Sequence, residues 1–415
     1  NSGSTITMTN SVSGAYTLNG GSGIDILTGD TDADTLVGNG GDDVLDGAGG
    51  ADTLTGGSNN DTFKVTSGTD SITDLSTGDI LIVSASATAN ATSISNFVAT
   101  SSTVNGGTAN LTAGNSGSTI TMTNSVSGAY TLTGGLGVDI LTGDTDADTL
   151  VGNGGDDVLD GGGGADIITG GTGADSLIGG DGNDVFKFNT NDIAVSESIT
   201  ELNGEGSDSV SILTTTDFTN MTANSFNEIE EIRFEGRNQE GTFTSVQLES
   251  EVINFTETGG SGTSKVIINL ATVGETAVFS NLAATTFTSG SDTITINGLS
   301  GDENITGPDL ASSIYGSSGN DTITGGNAND IIDGGDDNDI MDGGAGTNTL
   351  SYATASAAVT VDLSNGAQQN TIGSGLDTLS NFDKVTGSDH DDTLTGNDNA
   401  NLIGGKNGDD TILGG

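Results

Sequence analysis

Residues 134–187 consist of six consecutive units of nine residues: GGLGVDILT, GDTDADTLV, GNGGDDVLD, GGGGADIIT, GGTGADSLI and GGDGNDVFK. Position 1 of each unit is Gly, position 6 is Asp and position 8 is a large apolar residue. The same phase recurs in 20–64, 316–351 and 387–413. A fixed nine-residue period predicts a repeat architecture rather than a low-complexity segment of biased composition.

Each unit divides into a six-residue turn and a three-residue strand. Glycine, and asparagine where it replaces glycine, favours the left-handed backbone that tight turns require. In a three-residue strand the middle side chain, at position 8, points to one face and its neighbours point to the other. Two units therefore predict one coil of a two-sheet solenoid. Position 8 would form an apolar ladder, and the position-6 carboxylates would stack in register along both edges.

The composition excludes several classes of protein. The chain has 58 acidic and 7 basic side chains among 415 residues, a formal charge of −51, which argues against nucleic acid as a partner. It has no Cys and one His, His390, so disulfide scaffolds, thiol enzymes and multi-histidine metal centres are excluded. No run of about 18 apolar residues is present, and we expect no transmembrane segment. The apolar fraction of 32% is too high for a disordered acidic tail.

The stacked carboxylates require a cation. Two like charges about 4 Å apart repel by about 4 kcal/mol at an effective dielectric constant of about 20. Seven basic residues cannot neutralise arrays of this size. Hard divalent cations prefer oxygen, and Ca²⁺ accepts six to eight carboxylate and carbonyl ligands, whereas Mg²⁺ demands strict octahedral geometry. The pattern therefore favours Ca²⁺, roughly one ion at each interface between paired turns.

The GGxGxDxUx unit, in which U is a large apolar residue, resembles the RTX nonapeptide repeat. The resemblance covers a little under half of the chain. It implies an all-β fold in which parallel β-roll segments alternate with strand-rich spacer domains. It also implies Ca²⁺ between neighbouring turns, bound by the position-6 aspartates and by turn carbonyls. The aspartates implied as metal ligands are Asp25, Asp34, Asp43, Asp52, Asp61, Asp139, Asp148, Asp157, Asp166, Asp175, Asp184, Asp321, Asp330, Asp339, Asp392 and Asp410.

Several units depart from the pattern. Asp32 and Asp146 replace the usual Gly at position 4, so either the site gains a carboxylate or the turn is distorted. Asn348 and Asn401 replace the position-6 Asp and predict roll ends with weak or absent sites. His390 lies inside a nonapeptide turn, where we expect a surface role.

The remaining sequence is organised by a duplication and by the distribution of Glu. Residues 1–57 and 115–171 are identical at 51 of 57 positions, which predicts an array, although a recent gene duplication without structural meaning gives the same pattern. All 13 Glu lie between Glu197 and Glu303, which marks a separate middle domain. The predicted segments are a β segment (1–19), roll 1 (20–64), a β spacer (65–133), roll 2 (134–187), a Glu-containing β domain (188–306), roll 3 (307–351), a β connector (352–386) and roll 4 (387–415).

We predict a calcium-binding structural protein of a bacterial surface layer, sheath or filament, which folds and assembles on binding Ca²⁺. Its expected partners are copies of itself, with a cell-surface glycan or lipopolysaccharide as a candidate anchor. The resemblance implies export of the unfolded chain through a type I channel and an extracellular location. The strongest alternative is an adhesin or extender, including an ice-binding one, because threonines share a strand face at Thr5–Thr9, Thr119–Thr123 and Thr293–Ile296.

An RTX-tailed secreted enzyme is the weaker alternative. The sequence contains no HExxH or GxSxG motif. The cluster of Glu228, Glu230 and Glu231 offers paired carboxylates of the kind that glycoside hydrolysis uses. It is more simply explained as the solvated edge of a strand. We therefore predict that the chain is not an enzyme and has no catalytic residues.

Overall fold

The computed structural model describes residues 3–8, 13–201, 206–249, 252–258, 262–287 and 292–415. The other residues of the predicted 1–19 and 188–306 segments, together with Thr9 of the first threonine run, lie outside this description. The chain forms two compact units, one made of Asn1–Val210 with Asn220–Thr222 and the other of Ser211–Thr219 with Ala223–Gly415.

Strands in the rolls begin at position 7 of the nonapeptide, where branched residues follow the Gly-rich turn. The strands of the first unit are β1 (Thr5–Thr7), β2 (Thr17–Asn19), β3 (Ile26–Thr28), β4 (Thr35–Gly40), β5 (Val44–Asp46), β6 (Thr53–Ser58), β7 (Thr62–Val65), β8 (Thr69–Ile72), β9 (Ile80–Val83), β10 (Thr88–Ile94), β11 (Asn96–Val98), β12 (Val104–Asn105), β13 (Thr108–Ala113), β14 (Thr119–Thr121), β15 (Tyr130–Thr133), β16 (Ile140–Thr142), β17 (Thr149–Gly154), β18 (Val158–Gly163), β19 (Ile167–Thr172), β20 (Ser176–Asp181), β21 (Val185–Phe188) and β22 (Ser198–Thr200). The chain leaves this unit within β23 (Asp208–Ile212).

The second unit contains one helical turn among its strands. Its elements are β24 (Thr216–Asp217), β25 (Ile229–Phe234), β26 (Glu240–Thr244), α1 (Ser245–Leu248), β27 (Asn254–Glu257), β28 (Lys265–Asn269), β29 (Thr276–Val278), β30 (Ala283–Ala284), β31 (Thr293–Asn297), β32 (Asn304–Thr306), β33 (Ser312–Tyr315), β34 (Thr322–Thr324), β35 (Ile331–Asp333), β36 (Ile340–Asp342), β37 (Thr349–Ser351), β38 (Thr360–Asp362), β39 (Gln369–Asn370), β40 (Leu376–Ser380), β41 (Lys384–Thr386), β42 (Thr393–Thr395), β43 (Leu402–Gly404) and β44 (Thr411–Leu413). The four residues of α1 form the one helix found in the described ranges, where no membrane-spanning helix occurs.

Strands that lie one coil apart pair in parallel, whereas β39 pairs antiparallel with β40. In the first unit the sheets run β1-β3-β5-β7-β9-β12, β2-β4-β6-β8-β10-β13-β15-β17-β19-β21 and β11-β14-β16-β18-β20-β22. In the second unit they run β24-β26-β28-β31-β33-β35-β37-β41-β43, β29-β32-β34-β36-β40-β39, β25-β27-β30 and β38-β42-β44. Pairs such as Leu27 with Leu45 set the register at 18 residues, or two nonapeptides per coil. The predicted all-β, parallel β-roll fold is therefore confirmed.

The core of each roll is the apolar ladder at position 8. Leu27, Leu45 and Leu159 have no exposed surface, and the same holds for the position-8 residues of rolls 1 and 2 and of roll 3 from Ile323 onward. The ladder ends at the C-terminal units, where Ile412 is 49% exposed. One thin apolar column thus holds two sheets together, since burying each such side chain stabilises the fold by about 1.5–3 kcal/mol.

The spacers continue the parallel pairing with longer coils. In the register, Thr88 pairs with Thr108 and Lys265 with Thr293, which are separations of 20 and 28 residues in place of 18. The wider coils of the Glu-containing segment are filled by aromatic rings, among them Phe218 and Phe243, whose rings stack with centroids 5.0 Å apart. The predicted boundaries between rolls and spacers stay predictions, because parallel pairing passes across several of them.

Candidate metal centre

The position-6 aspartates form ladders of buried carboxylates, as the phase of the repeat requires. In eleven of the sixteen predicted ligands the backbone N–H donates to Oδ1 of the aspartate 18 residues later, as from Asp25 to Asp43 and from Asp43 to Asp61 in roll 1, at 2.7 and 2.8 Å. Roll 3 repeats the arrangement from Asp321 to Asp339 at 2.9 Å. Fifteen of the sixteen predicted ligands are buried, with at most 2% of their surface exposed, and Asp410 is half-buried. Each ladder places carboxylates one coil apart.

The second carboxylate oxygen divides the repeats into two kinds of unit. In capped units, Oδ2 accepts the N–H of position 2 in its own turn, as from Asp144 to Asp148 at 2.8 Å. In open units the position-2 N–H makes no such bond. The capped aspartates are Asp25, Asp34, Asp139, Asp148, Asp330 and Asp392. The open aspartates whose buried Oδ2 has no hydrogen-bond partner are Asp43, Asp52, Asp157, Asp166, Asp175, Asp184, Asp321 and Asp339.

Backbone conformation explains this division. In every open unit, positions 2 and 4 both have positive φ, such as Gly162 at 94° and Gly164 at 109° in the unit of Asp166. In the capped units neither position does. Left-handed residues at both positions turn the position-2 N–H away from the carboxylate. The units of Asp61 and Asp410 have the same two left-handed positions and belong with the open units.

Asn348 shows what surrounds the second oxygen of an open unit. Its unit also has left-handed residues, Gly344 and Gly346, and its Oδ1 accepts the N–H of Asp330 at 3.0 Å. Its Nδ2 donates to the carbonyl oxygens of Ala345 and Asn381, both at 3.2 Å. An aspartate in the same place presents an oxygen to those carbonyl oxygens, and oxygens facing one another need a cation between them. The side-chain N–H of Asn348 therefore lies where a metal ion would fit in an open unit that has aspartate.

Position 1 must be glycine because a side chain would occupy the same space. A Cβ built on Gly38 would collide with Asp43 Oδ2 and would lie 2.5 Å from the carbonyl oxygen of Gly56. A Cβ on Gly161 would collide with Asp166 Oδ2 and would lie 2.7 Å from the carbonyl oxygen of Gly179. Carboxylate and carbonyl oxygens thus converge beside each of these glycines. The donor set is oxygen only, which fits Ca²⁺ and does not fit softer metals.

Burial and neighbouring carboxylates raise the pKa of the ladder aspartates. Burial comes first, and charges on adjacent rungs add to it: the pKa of Asp166 rises to about 7, with Asp184 and Asp148 contributing. The same two causes raise the pKa of Asp61 to about 7 and that of Asp339 to about 8. The pKa of Asp25 is instead lowered, mainly by the hydrogen bond from the Gly21 N–H. Burial also raises the pKa of Asp148, in a capped unit, to about 7, so without a cation buried rungs of both kinds favour protons over negative charge.

The structure also places carboxylates on the ladders that the sequence prediction omitted. Asp70 and Asp79 accept the N–H groups of Asp52 and Asp61 at 3.1 and 2.8 Å. The sequence does indicate these two residues, because the nine-residue phase of roll 1 continues without a break. Residues 65–73 and 74–82 are degenerate nonapeptides with Asp at position 6. Further ladder carboxylates are Glu197, Asp208, Glu303 and Asp377. Glu303 is position 6 of GLSGDENIT, whereas Glu197, Asp208 and Asp377 follow longer coils that no fixed period reveals.

The departures from the pattern have distinct outcomes. Asp146 does not join the metal-ligand geometry: its Oδ2 accepts the N–H of Gly128 at 2.6 Å, and Asp32 does the same for Gly14 at 2.7 Å. Their turns lack the left-handed position 4 and are capped, but so are the turns that have Gly23 and Gly137 at position 4, so an Asp at this position does not by itself change the turn. His390 lies in a turn, as expected, and its N–H donates to Ser388 Oγ at 3.2 Å.

The acidic cluster of β25 includes a carboxylate, Glu231, that pairs with neighbours in the sheet. Arg233 forms an ion pair with Glu231 and lies 3.8 Å from Glu235. Glu231 also accepts a hydrogen bond from Thr256 Oγ1 at 2.6 Å. These contacts hold the Glu231 carboxylate in place on the surface of the sheet. The absence of catalytic residues stays a prediction.

Comparison with protein families decides what the repeats are. The model of the RTX calcium-binding nonapeptide repeat (4 copies) matches residues 19–54, 133–168, 160–188, 315–350 and 374–415. The chain carries RTX calcium-binding repeats. No curated protein matches the chain. The resemblance read from the sequence is thereby confirmed, and the matches in rolls 1, 2 and 3 fall on open units with buried, unpartnered carboxylate oxygens. The sixteen individual ligands stay predictions.

Proposed function

We propose that this protein is an extracellular structural component of a bacterial surface layer, sheath or filament, and that Ca²⁺ drives its folding and assembly. The observation that supports this most strongly is the set of buried, unpartnered Oδ2 atoms in the open units. Folding brings these oxygens out of water without any partner in the protein, and a bound divalent ion compensates for that cost. We place ions in the open units and none in the capped ones.

An extracellular location follows from the affinity that such sites have. Extracellular calcium modules bind with dissociation constants of about 0.1–1 mM, so they fill outside a cell and stay empty inside one. A chain with a charge of −51 and empty sites repels itself and remains unfolded, which suits export before folding. Folding would then begin where Ca²⁺ is abundant.

Self-association is supported by exposed apolar side chains in roll 2. Leu136, Val138 and Ile140 are 72%, 60% and 44% exposed, and Ile140 neighbours Val158 in the β16–β18 register. Apolar surface presented in series on a repetitive scaffold is typical of an interaction site. We therefore propose other copies of this chain as the partner.

The test compares the full chain in excess Ca²⁺, in EGTA and in Mg²⁺, by circular dichroism and electron microscopy. We expect the β signal and ordered lattices or filaments in Ca²⁺, and loss of both in EGTA and in Mg²⁺. A β signal that survives chelation would contradict calcium-driven folding. Isolated particles that bind a glycan or another surface would favour the adhesin alternative.

A pair of variants tests the apolar surface by itself. Val138→Ser removes an apolar side chain from roll 2, whereas Val195→Ser removes the same side chain, 72% exposed, from outside the repeats. We expect the first to weaken assembly in sedimentation velocity and the second to leave it unchanged. Equal effects would show that assembly uses another surface.

A further inference from the structure

The last unit of roll 2 ends beside two carboxylates that come from outside the repeats. This unit, 179–187, contributes Asp184, and the segment that follows it contributes Glu201 and Asp208. One carboxylate oxygen from each residue lies within 4.8 Å of the other two. This is the one group of at least three such carboxylates brought together among the residues that the structure describes. A ladder rung, by contrast, brings a single open carboxylate oxygen to a glycine carbonyl.

Glu201 takes the place that a backbone carbonyl has one coil earlier. In the preceding coil, a Cβ on Gly161 would meet Asp166 Oδ2 and the carbonyl oxygen of Gly179. In the last coil, a Cβ on Gly179 would lie 2.6 Å from Asp184 Oδ2 and would collide with Glu201 Oε1. The side chain of Glu201 therefore continues the oxygen lining of the roll past the point where the repeat stops.

The oxygens of this cluster are buried without partners. Asp184 has no exposed surface, and its Oδ2 has no hydrogen-bond partner. Both carboxylate oxygens of Glu201 are likewise shielded from solvent; the backbone N–H groups of Gly179 and Gly180 are close enough to lower its pKa but do not reach hydrogen-bond geometry. Asp208 is 4% exposed and its Oδ1 accepts the N–H of Asp184 at 2.8 Å, which fixes the distance between the two residues. Burial, then the charges of Asp208 and Asp184, raise the pKa of Glu201 to about 8.

We propose that Glu201 and Asp208 complete the Ca²⁺ site of Asp184, the last open unit, and that this site closes the end of roll 2. Three carboxylates bring a formal charge of −3 to one point, and the affinity of oxygen-ligand calcium sites increases with the number of charged ligands. The site therefore binds Ca²⁺ more tightly than the other repeat sites do and fills first. An ion there ties the segment after the repeats to the last coil. The proposal requires calcium binding but neither the surface location nor the assembly proposed above.

The test measures calcium binding to the full chain. Flow dialysis at one to two ions per chain gives the affinity of the tightest step, and emission spectrometry at saturation gives the number of bound ions. Glu201→Gln removes one charge from the cluster and keeps the size of the side chain. Asp181→Asn is the matched control, because Asp181 belongs to the same unit and is exposed. We expect E201Q to bind one ion fewer and its tightest step to weaken by roughly tenfold or more, and D181N to match the wild type.

Two further comparisons keep the outcomes separate. Glu201→Asp keeps the charge on a shorter side chain, and we expect it to weaken the same step less than E201Q does; circular dichroism in saturating Ca²⁺ checks that both variants fold. An unchanged ion count and affinity in E201Q would overturn the site. Equal losses of affinity in E201Q and D181N would also overturn it, because long-range charge alone explains such a result. A wild-type chain that binds no Ca²⁺ would instead overturn the proposed function.

Discussion

The backbone N–H of Asp148 donates a hydrogen bond of 2.6 Å to Oδ1 of Asp166, one coil further along roll 2, while Oδ2 of Asp166 is buried and has no partner. One oxygen of the same carboxylate thus holds two coils together, and the other adds a desolvation cost. The hydrogen bond depends on the protein alone. The cost of the second oxygen is removed only by a proton or a cation, so the stability of the roll is linked to both.

The substitution Asp166→Asn separates these two roles. The new side chain keeps an oxygen for the Asp148 N–H, and its amide can donate to surrounding carbonyl oxygens as Asn348 does. We expect D166N to bind one Ca²⁺ fewer and, in EGTA, to be more stable than the wild type by about 1 kcal/mol. Emission spectrometry measures the ion count, and the pH at which the β signal is lost in EGTA, which we expect to be higher for D166N than for the wild type, measures the stability.

The control for D166N is Asp148→Asn, in a capped unit of the same ladder. Oδ2 of Asp148 accepts the Asp144 N–H at 2.8 Å, and an amide nitrogen in its place cannot accept. We expect D148N to keep the ion count and to lose about 1–3 kcal/mol of stability, because a buried N–H loses its partner. If D148N lost an ion and D166N did not, the division into open and capped units would be wrong.

The calcium-free chain should be more stable in acid than in weak base. Burial, followed by neighbouring charges, raises the pKa of Asp61 and Asp166 to about 7 and that of Asp339 to about 8, from 3.8. The native state therefore binds more protons than the unfolded state between these values, so stability is complete below pH 3.8 and falls as the pH rises to about 8. With 7 basic residues and one His, acidification removes charge instead of creating it.

Circular dichroism from pH 4 to pH 9 measures this dependence on a chain that has been dialysed free of Ca²⁺ beforehand, because EGTA loses its affinity for Ca²⁺ in acid. We expect the β signal to decrease as the pH rises, with the steepest loss between about pH 6 and 8, where these carboxyls lose their protons. In saturating Ca²⁺ the ions replace the protons, and the signal should stay constant above about pH 6. A β signal that grew with pH in the calcium-free chain would show that the ladders do not carry the linkage.

The sequence predicts the fold and the ladders because both depend on a strict period. Position 8 packs and position 6 stacks whenever the coil is 18 residues long, and Leu159 and Asp157 follow that rule without further information. Whether a unit is open or capped is only partly visible. Gly164 at position 4 allows a left-handed turn, and the unit with Asp146 at position 4 is capped. The unit with Gly137 at position 4 is capped as well, so the residue at this position does not decide the outcome.

The ends of the rolls were not predictable because their coils have no fixed length. Glu197 follows Asp175 by 22 residues and Asp377 follows Asp339 by 38, so no period connects the two members of either pair. The spacing of Asp184 and Asp208 is likewise set by a longer coil. Only the folded path of the chain brings these carboxylates to the ladder edge, and Glu201 enters the cluster in the same way.

Ala48 and Gly162 occupy the same position in the two copies of the duplicated segment, and both have positive φ, 68° and 94°. An L-residue in this conformation costs about 1–2 kcal/mol, and glycine does not bear that cost. We expect Ala48→Gly to raise stability in Ca²⁺ by about 1 kcal/mol. The reciprocal Gly162→Ala should lower it by more, because a Cβ there would also collide with the carbonyl oxygen of Asp144. Denaturant unfolding at fixed Ca²⁺ measures both, and a destabilised A48G would contradict the left-handed turn.

The apolar ladder at position 8 should carry more stability than the exposed apolar surface. Leu159 has no exposed surface, whereas Leu136, in the first unit of the same roll, is 72% exposed. We expect Leu159→Ala to cost about 2–5 kcal/mol, since it leaves a cavity in a column one side chain wide. Leu136→Ala should change stability by less than about 0.5 kcal/mol. Thermal unfolding in saturating Ca²⁺, at concentrations where the wild type is monomeric, compares them, and similar losses would contradict the position-8 ladder as the main source of stability in roll 2.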